Sequence, residues 1–199
     1  MGIEGDPGED SDEELARRIQ RGDRAALERL VRRYVRPVHT VVASFLDERA
    51  DIEDAAQETF LRIVASMDRY DPARPFAPWL YEIARNVARS WSSAAVRSQL
   101  RDTVGPELES PTPGPDLLTE RAEIRARVEA GVASLPEQRR IAFRMVDIEG
   151  MSAVETAKFM GVSSGTVRSH LHHARRELRA TLAEYYEATG NEGGPSHDR

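Results

Sequence analysis

Apolar residues recur three and four positions apart along most of the chain, the spacing of helices that bury one face. Ser11 and Glu14 predict a capping box ahead of Leu15 and Ile19, in a helix that stops at Gly22. Asp23 should cap a second helix running through Leu27, Leu30, Val31 and Tyr34 toward Phe45, with Pro37 kinking or breaking it. A third opens at Asp51, with Ile52, Ala56, Phe60, Ile63 and Met67 inward and Glu53, Asp54, Gln57 and Glu58 outward. The segment DRYDPARPFAP then holds three prolines in eleven residues and reads as a stiff polar loop. Pro78 suits the first turn of a fourth helix that buries Leu80, Ile83, Val87 and Trp91 and leaves Arg85, Asn86 and Arg89 outside. Residues 12–101 thus form one compact helical module of about 90 residues, within the usual domain range.

Residues 102–115, DTVGPELESPTPGP, lack this periodicity and carry four prolines and three acids, the composition of an extended acidic linker, which is bounded at 102–118. Helical pattern resumes near Asp116, and a second module is bounded at 119–186. It passes Ile124 and Val128, restarts at Pro136 and ends a further segment at Gly150. Ser152 and Glu155 predict a capping box for a short helix that stops at Gly161. Ser163 can cap the next helix on Thr166, with Val167, Leu171, Ala174 and Leu178 inward and Ser164, Arg168, Ser169, His172 and Arg175 outward. Two helices about a tight glycine turn form a helix-turn-helix whose second helix can enter a major groove, although any αα-hairpin would bury a similar stripe. Residues 1–11 and 187–199 read as tails with nothing to pack. No segment alternates as a strand must, so the expected fold is all-α, two small helical domains joined by the acidic linker.

The net charge of −6 is unlike that of a nucleic-acid binder until it is divided along the chain. Residues 15–101 carry sixteen basic against eleven acidic side chains, and residues 124–182 ten against six, while the segments around them are acidic. The basic residues are almost all arginine, the side chain suited to bidentate phosphate and guanine contacts. With no cysteine, disulfides and thiolate metal sites are excluded. No run of about 18 apolar residues occurs and the first residues are acidic, opposite to a secretory signal, so a cytoplasmic protein is expected. There is no glycine-rich phosphate loop and no spaced set of catalytic or metal-ligating side chains, which argues against an enzyme and against a cofactor.

The stretches DEELARRIQRGDRAALERLVRRY, DIEDAAQETFLRIVASMDRYDP and FAPWLYEIARNVARSW resemble the second region of extracytoplasmic-function (ECF) sigma factors, the small promoter-specificity subunits of bacterial RNA polymerase. LPEQRRIAFRMVDIEGMSAVETAKFMGVSSGTVRSHLHHARREL is similar to their fourth region, and the segments follow in the family's order. The resemblance implies that Asp51, Glu53, Asp54, Gln57 and Glu58 meet the clamp helices of the largest polymerase subunit, and that the fourth region meets the flap of the second-largest. Acids near a helix start also complement its dipole, which explains them without a partner.

For the −10 element the resemblance implies Arg69, Tyr70, Asp71, Phe76 and Trp79 around a base flipped from the non-template strand. Arg85, Asn86 and Arg89 would lie along its backbone. For the −35 element it implies Arg168, Ser169 and His172 at base edges and Ser164 and Thr166 near phosphates. Arg139, Arg140, Lys158, Arg175 and Arg176 are the implied phosphate contacts, and His173 stands where arginine is common. The family also implies an anti-sigma factor as a further partner. On this reading the two lobes become a promoter recogniser only when polymerase holds them apart. The rival is a dimeric helix-turn-helix regulator that selects DNA without polymerase.

Overall fold

The computed structural model describes the backbone of residues 10–102 and 117–189, with the side chains of 10–93, 123–185 and Glu187. Most of the expected linker and of both tails lies outside these residues. Asp102, Leu117 and Leu118, which the sequence assigned to the linker or its borders, belong instead to the helices on either side. Helices are the only regular structure among the described residues.

The first unit comprises α1 (Asp12–Gln20), α2 (Arg24–Val42), α3 (Arg49–Ser66) and α4 (Phe76–Asp102). Ser11 caps α1 by accepting the Glu14 amide at 3.2 Å. The Glu14 carboxylate turns to Arg17 at 2.6 Å, so this cap is one-sided rather than the reciprocal box expected. Asp23 caps α2 through the Ala26 amide.

Helix α2 continues through Pro37, so of the kink or break expected there the break does not occur. Tyr34, Pro37, Val38, Val41 and Val42 are all buried, and this burial on both sides of the proline offsets one missing hydrogen bond. Helix α3 buries Ile52, Ala55, Thr59 and Ile63, leaving the expected Ala56 and Phe60 half-buried. The Thr59 hydroxyl donates to the Ala55 carbonyl at 2.8 Å, which makes its burial tolerable.

A 3₁₀ turn, Met67–Arg69, leads into the loop. Helix α4 starts at Phe76, two residues before Pro78, because Glu13 of α1 accepts the Phe76 amide at 3.1 Å and satisfies that end. Its buried face is Leu80, Tyr81, Ala84, Val87 and Ala88, with Ile83 and Trp91 only half-buried.

The second unit comprises α5 (Leu117–Ser134), α6 (Glu137–Phe143), α7 (Ala153–Met160) and α8 (Ser164–Thr189). After α6 the chain widens into a π turn, Arg144–Ile148, and then reverses at Gly150 with φ of 73°. Both halves of the capping box at Ser152 and Glu155 are present, and Gly161 ends α7 in the left-handed region. Val132, Leu135, Ala174 and Leu178 pack α5 against α8.

Both expected helical units are therefore present, but their apolar surfaces merge. Ile141, Ala142, Met145, Phe159, Met160, Val167 and Leu171 belong to the same buried cluster as Leu15, Tyr34, Val38, Tyr81 and Val87. Helical periodicity tells which face of α7 turns inward; it does not tell that this face lands on α2 and α4.

Candidate nucleic-acid and polymerase interfaces

In α8, Val167, Leu171, Ala174 and Leu178 are buried, and this rotation leaves Arg168, Ser169, His172 and Arg176 exposed along the opposite side. Ser163 accepts the Thr166 amide at 3.0 Å, which fixes where the helix begins. Ser164 and Thr166 are half-buried beside that end. The other basic residues expected here are not equally available. Asp147 holds Arg175 at 2.6 Å, and Glu177 pairs with Arg139.

Arg140 is half-buried, with its guanidinium 5.6 Å from the Phe45 ring centroid and Nη1 donating to the Ala133 carbonyl. Burial, foremost, and the nearby Arg144 lower its pKa below arginine's ordinary value. Lys158 and Arg176 are exposed and make no ion pair among the described residues. His173 is half-buried with Nδ1 turned inward and without a hydrogen-bond partner. Neighbouring His170, which the sequence did not single out, has its pKa lowered by burial, then by Arg139 and His173.

At the α3–α4 loop the structure separates residues that the sequence grouped. Tyr70 and Phe76 are buried, in a ring cluster with the half-buried Trp79, so all three serve first as packing under the loop. The Tyr70 hydroxyl donates to the Arg74 carbonyl, and burial pushes its pKa up to about 12. Arg69 and Asp71 are exposed, and Asp71 accepts the Ala73 amide at 3.0 Å, holding the turn.

Beside Arg69 an open groove of about 320 Å³ is lined by Arg62, Ala65, Ser66, Arg69, Ile83 and Asn86. Arg62 and Ile83 were missed because they lie on different helices, and only packing brings them together. Asn86 is exposed, whereas Arg85 and Arg89 both turn toward Glu137 of α6.

On α3, Glu53, Asp54 and Gln57 are exposed and Asp51 is half-buried. Glu58 is held from both sides: it accepts the Trp91 indole N–H at 2.6 Å and pairs with Arg62 at 2.5 Å. These contacts, the indole bond first, lower its carboxyl pKa. Leu61 and Val64 continue the exposed face at 63% and 46% exposure, so an acidic patch runs into an apolar one. That combination, an apolar centre rimmed by charge, fits a protein partner better than a purely solvated helix. No cluster of metal-ligating side chains and no membrane-spanning helix occurs among the described residues.

Comparison with known proteins places both units in one family. Residues 30–98 match the family described as Sigma-70 region 2, and residues 125–178 match Sigma-70, region 4. The ECF RNA polymerase sigma factor SigE of Mycolicibacterium smegmatis is 33% identical over 84% of this chain and 67% of its own length. The ECF RNA polymerase sigma-E factor of Escherichia coli K12 is 31% identical over 84% of this chain and 92% of its own. Among solved structures, CnrH in complex with the cytosolic domain of CnrY aligns with a TM-score of 0.59 and 28% identity, covering 88% of this chain and 99% of CnrH. With region 2 in α1–α4, region 4 in α5–α8 and relatives alike over most of their length, the chain belongs to the ECF sigma factors, promoter-specificity subunits of RNA polymerase.

Proposed function

We propose that α8 reads the −35 element through Arg168, Ser169 and His172, with Arg176 and Lys158 on flanking phosphates and the α8 start, Ser164 and Thr166, near the backbone. The observation that supports this best is the rotation of α8. Its four apolar positions are buried, and the side chains left outside are hydrogen-bonding and cationic. Arg139 and Arg175 act mainly in tying α6 and the π turn to α8, and Arg140 in tying α6 to the end of α5, since each is engaged within the chain. His173 supports the helix from its inner edge.

At the −10 element, the groove between α3 and α4 accommodates a base that has left the stack. Ile83 and Ala65 supply an apolar wall, and Asn86 supplies both a donor and an acceptor. Arg62 and Arg69 flank it as phosphate ligands, while Tyr70, Phe76 and Trp79 hold the loop rigid beneath. Asp71 shapes the loop's edge. Arg85 and Arg89 track the strand's backbone.

The α3 face, Asp51, Glu53, Asp54 and Gln57 with Leu61 and Val64, docks on the clamp helices, and Glu58 orients that face through Trp91. Region 4 engages the flap, and an anti-sigma factor is the expected inhibitor. The protein acts by binding and not by catalysing a reaction. Footprinting with and without core polymerase tests the whole: protection of both elements only in the presence of polymerase supports the reading. Discrete protection by the free chain would refute it.

A further inference from the structure

We propose that α1 is the splint of the α3–α4 loop, with Gln20 a positioning residue for capture of the −10 base. This rests on the assignment of the groove between α3 and α4 to that base. Gln20 is the last residue of α1 and is half-buried. Its Nε2 donates to two backbone carbonyls of the 3₁₀ turn and loop, Met67 at 2.9 Å and Tyr70 at 2.8 Å. A side-chain amide carries two N–H donors on one nitrogen, so a single residue fills both bonds.

The positions of the two acceptors give these bonds their consequence. Arg69 stands between Met67 and Tyr70, and a backbone pinned on both sides of a residue fixes the direction in which its side chain leaves. Arg69 in turn lines the groove with Ile83 and Asn86 of α4. Glu13, about two turns earlier on α1, acts at the other end of the loop. Its Oε1 accepts the Phe76 amide at 3.1 Å, where α4 begins. One rigid helix thus holds both ends of the loop, and with them the two walls that meet a captured base.

Other contacts of the loop do a different job. The Tyr70 amide donates to the Met67 carbonyl and the Arg74 amide to the Asp71 carbonyl, and the Tyr70 hydroxyl donates to the Arg74 carbonyl, so these bonds stay inside the segment. The rings of Tyr70, Phe76 and Trp79 pack beneath it. Apolar burial is largely non-directional and sets the depth of the loop, whereas hydrogen bonds weaken steeply off line and set its rotation. No local pattern marks Gln20 or Glu13, because their partners stand 47 to 63 residues away.

The test is anisotropy titration of holoenzyme with a labelled non-template single strand spanning the −10 element, intact or abasic at each −10 position in turn. In the wild type, loss of the captured base should weaken binding by about ten-fold. In Gln20→Leu holoenzyme that preference should shrink to about two-fold, because the groove wall is no longer held. Affinity for the abasic strand and the salt slope should stay as in the wild type, since leucine removes two donors and no charge. Placed on Arg69→Ala, Gln20→Leu should cost little more than Arg69→Ala alone, as expected where one side chain acts through the other. An undiminished base preference, equal weakening of intact and abasic strands, or full additivity with Arg69→Ala would each overturn the proposal.

Gln20→Met, also a good helix former, serves if Gln20→Leu does not fold. Loss of native helicity in both would make Gln20 a support of the whole unit and would likewise overturn the splint. The two readings fail differently. Wild-type holoenzyme indifferent to an abasic site at every −10 position removes the groove assignment and the splint with it. A base preference that is present in the wild type and kept in both Gln20 variants removes the splint alone.

Discussion

The ring of Tyr34 in α2 stacks on the ring of Phe159 in α7, with centroids 5.9 Å apart and planes 24° from parallel. Tyr81 of α4 meets the same Phe159 edge-on at 5.5 Å. One side chain of the helix-turn-helix is therefore part of the core of the other unit. Tyr34 is anchored in turn by donating its hydroxyl to Asp12 at 2.5 Å, and burial raises its pKa far above the ordinary phenol value.

Phe159→Ala should destabilise the chain by about 3–5 kcal/mol, the cost of emptying a buried aromatic site. The wild type should unfold in urea as one transition and the variant as two, because the ring links the units. A midpoint shift worth less than about 1 kcal/mol would show that Phe159 is not shared in this way.

Arg168 and Arg176 are both exposed on α8, yet they should respond differently to alanine. Arg168→Ala should weaken holoenzyme binding to the −35 element by about 1–3 kcal/mol and relax preference at one base position. Arg176→Ala and Lys158→Ala should each weaken all sequences alike and reduce the salt slope by about 1. Competition binding across single-base promoter variants separates the two patterns, and identical profiles for all three variants would reject the assignment.

Glu58 couples stability to acid. The Trp91 indole bond, then Arg62, hold its carboxyl pKa below the ordinary 4.5, so the folded state binds fewer protons than the unfolded one as pH approaches that value. The associated stability is present above pH 4.5 and is lost as pH falls through the folded pKa. Glu58→Gln should flatten this acid limb in urea midpoints measured from neutral pH downward. An acid limb as steep as in the wild type would place the proton uptake elsewhere.

The helices themselves were legible in the sequence because the signals are local. Ser11, Asp23, Ser152 and Ser163 all cap where their spacing to the next amide allows, and Gly161 takes the positive φ expected at a helix end. The outward faces of α3 and α8 follow from the same period. Long-range relationships were not legible. Pro37 is carried inside an unbroken helix by tertiary burial, and Phe76 and Tyr70 turn inward because the loop needs a floor. Equally, Arg85, Arg89, Arg139 and Arg175 look alike as exposed cations in one dimension. Their carboxylate partners, Glu137, Glu177 and Asp147, stand 28 to 52 residues away and appear only on folding.

Mapping of transcription start sites on genomic DNA with core polymerase, with and without the chain, bears most directly on its role. Addition of the chain should produce a discrete set of starts preceded by shared −35 and −10 sequences, absent with core enzyme alone. Starts unchanged by the chain, with chain and core enzyme eluting as separate species, would contradict its assignment as a promoter-specificity subunit.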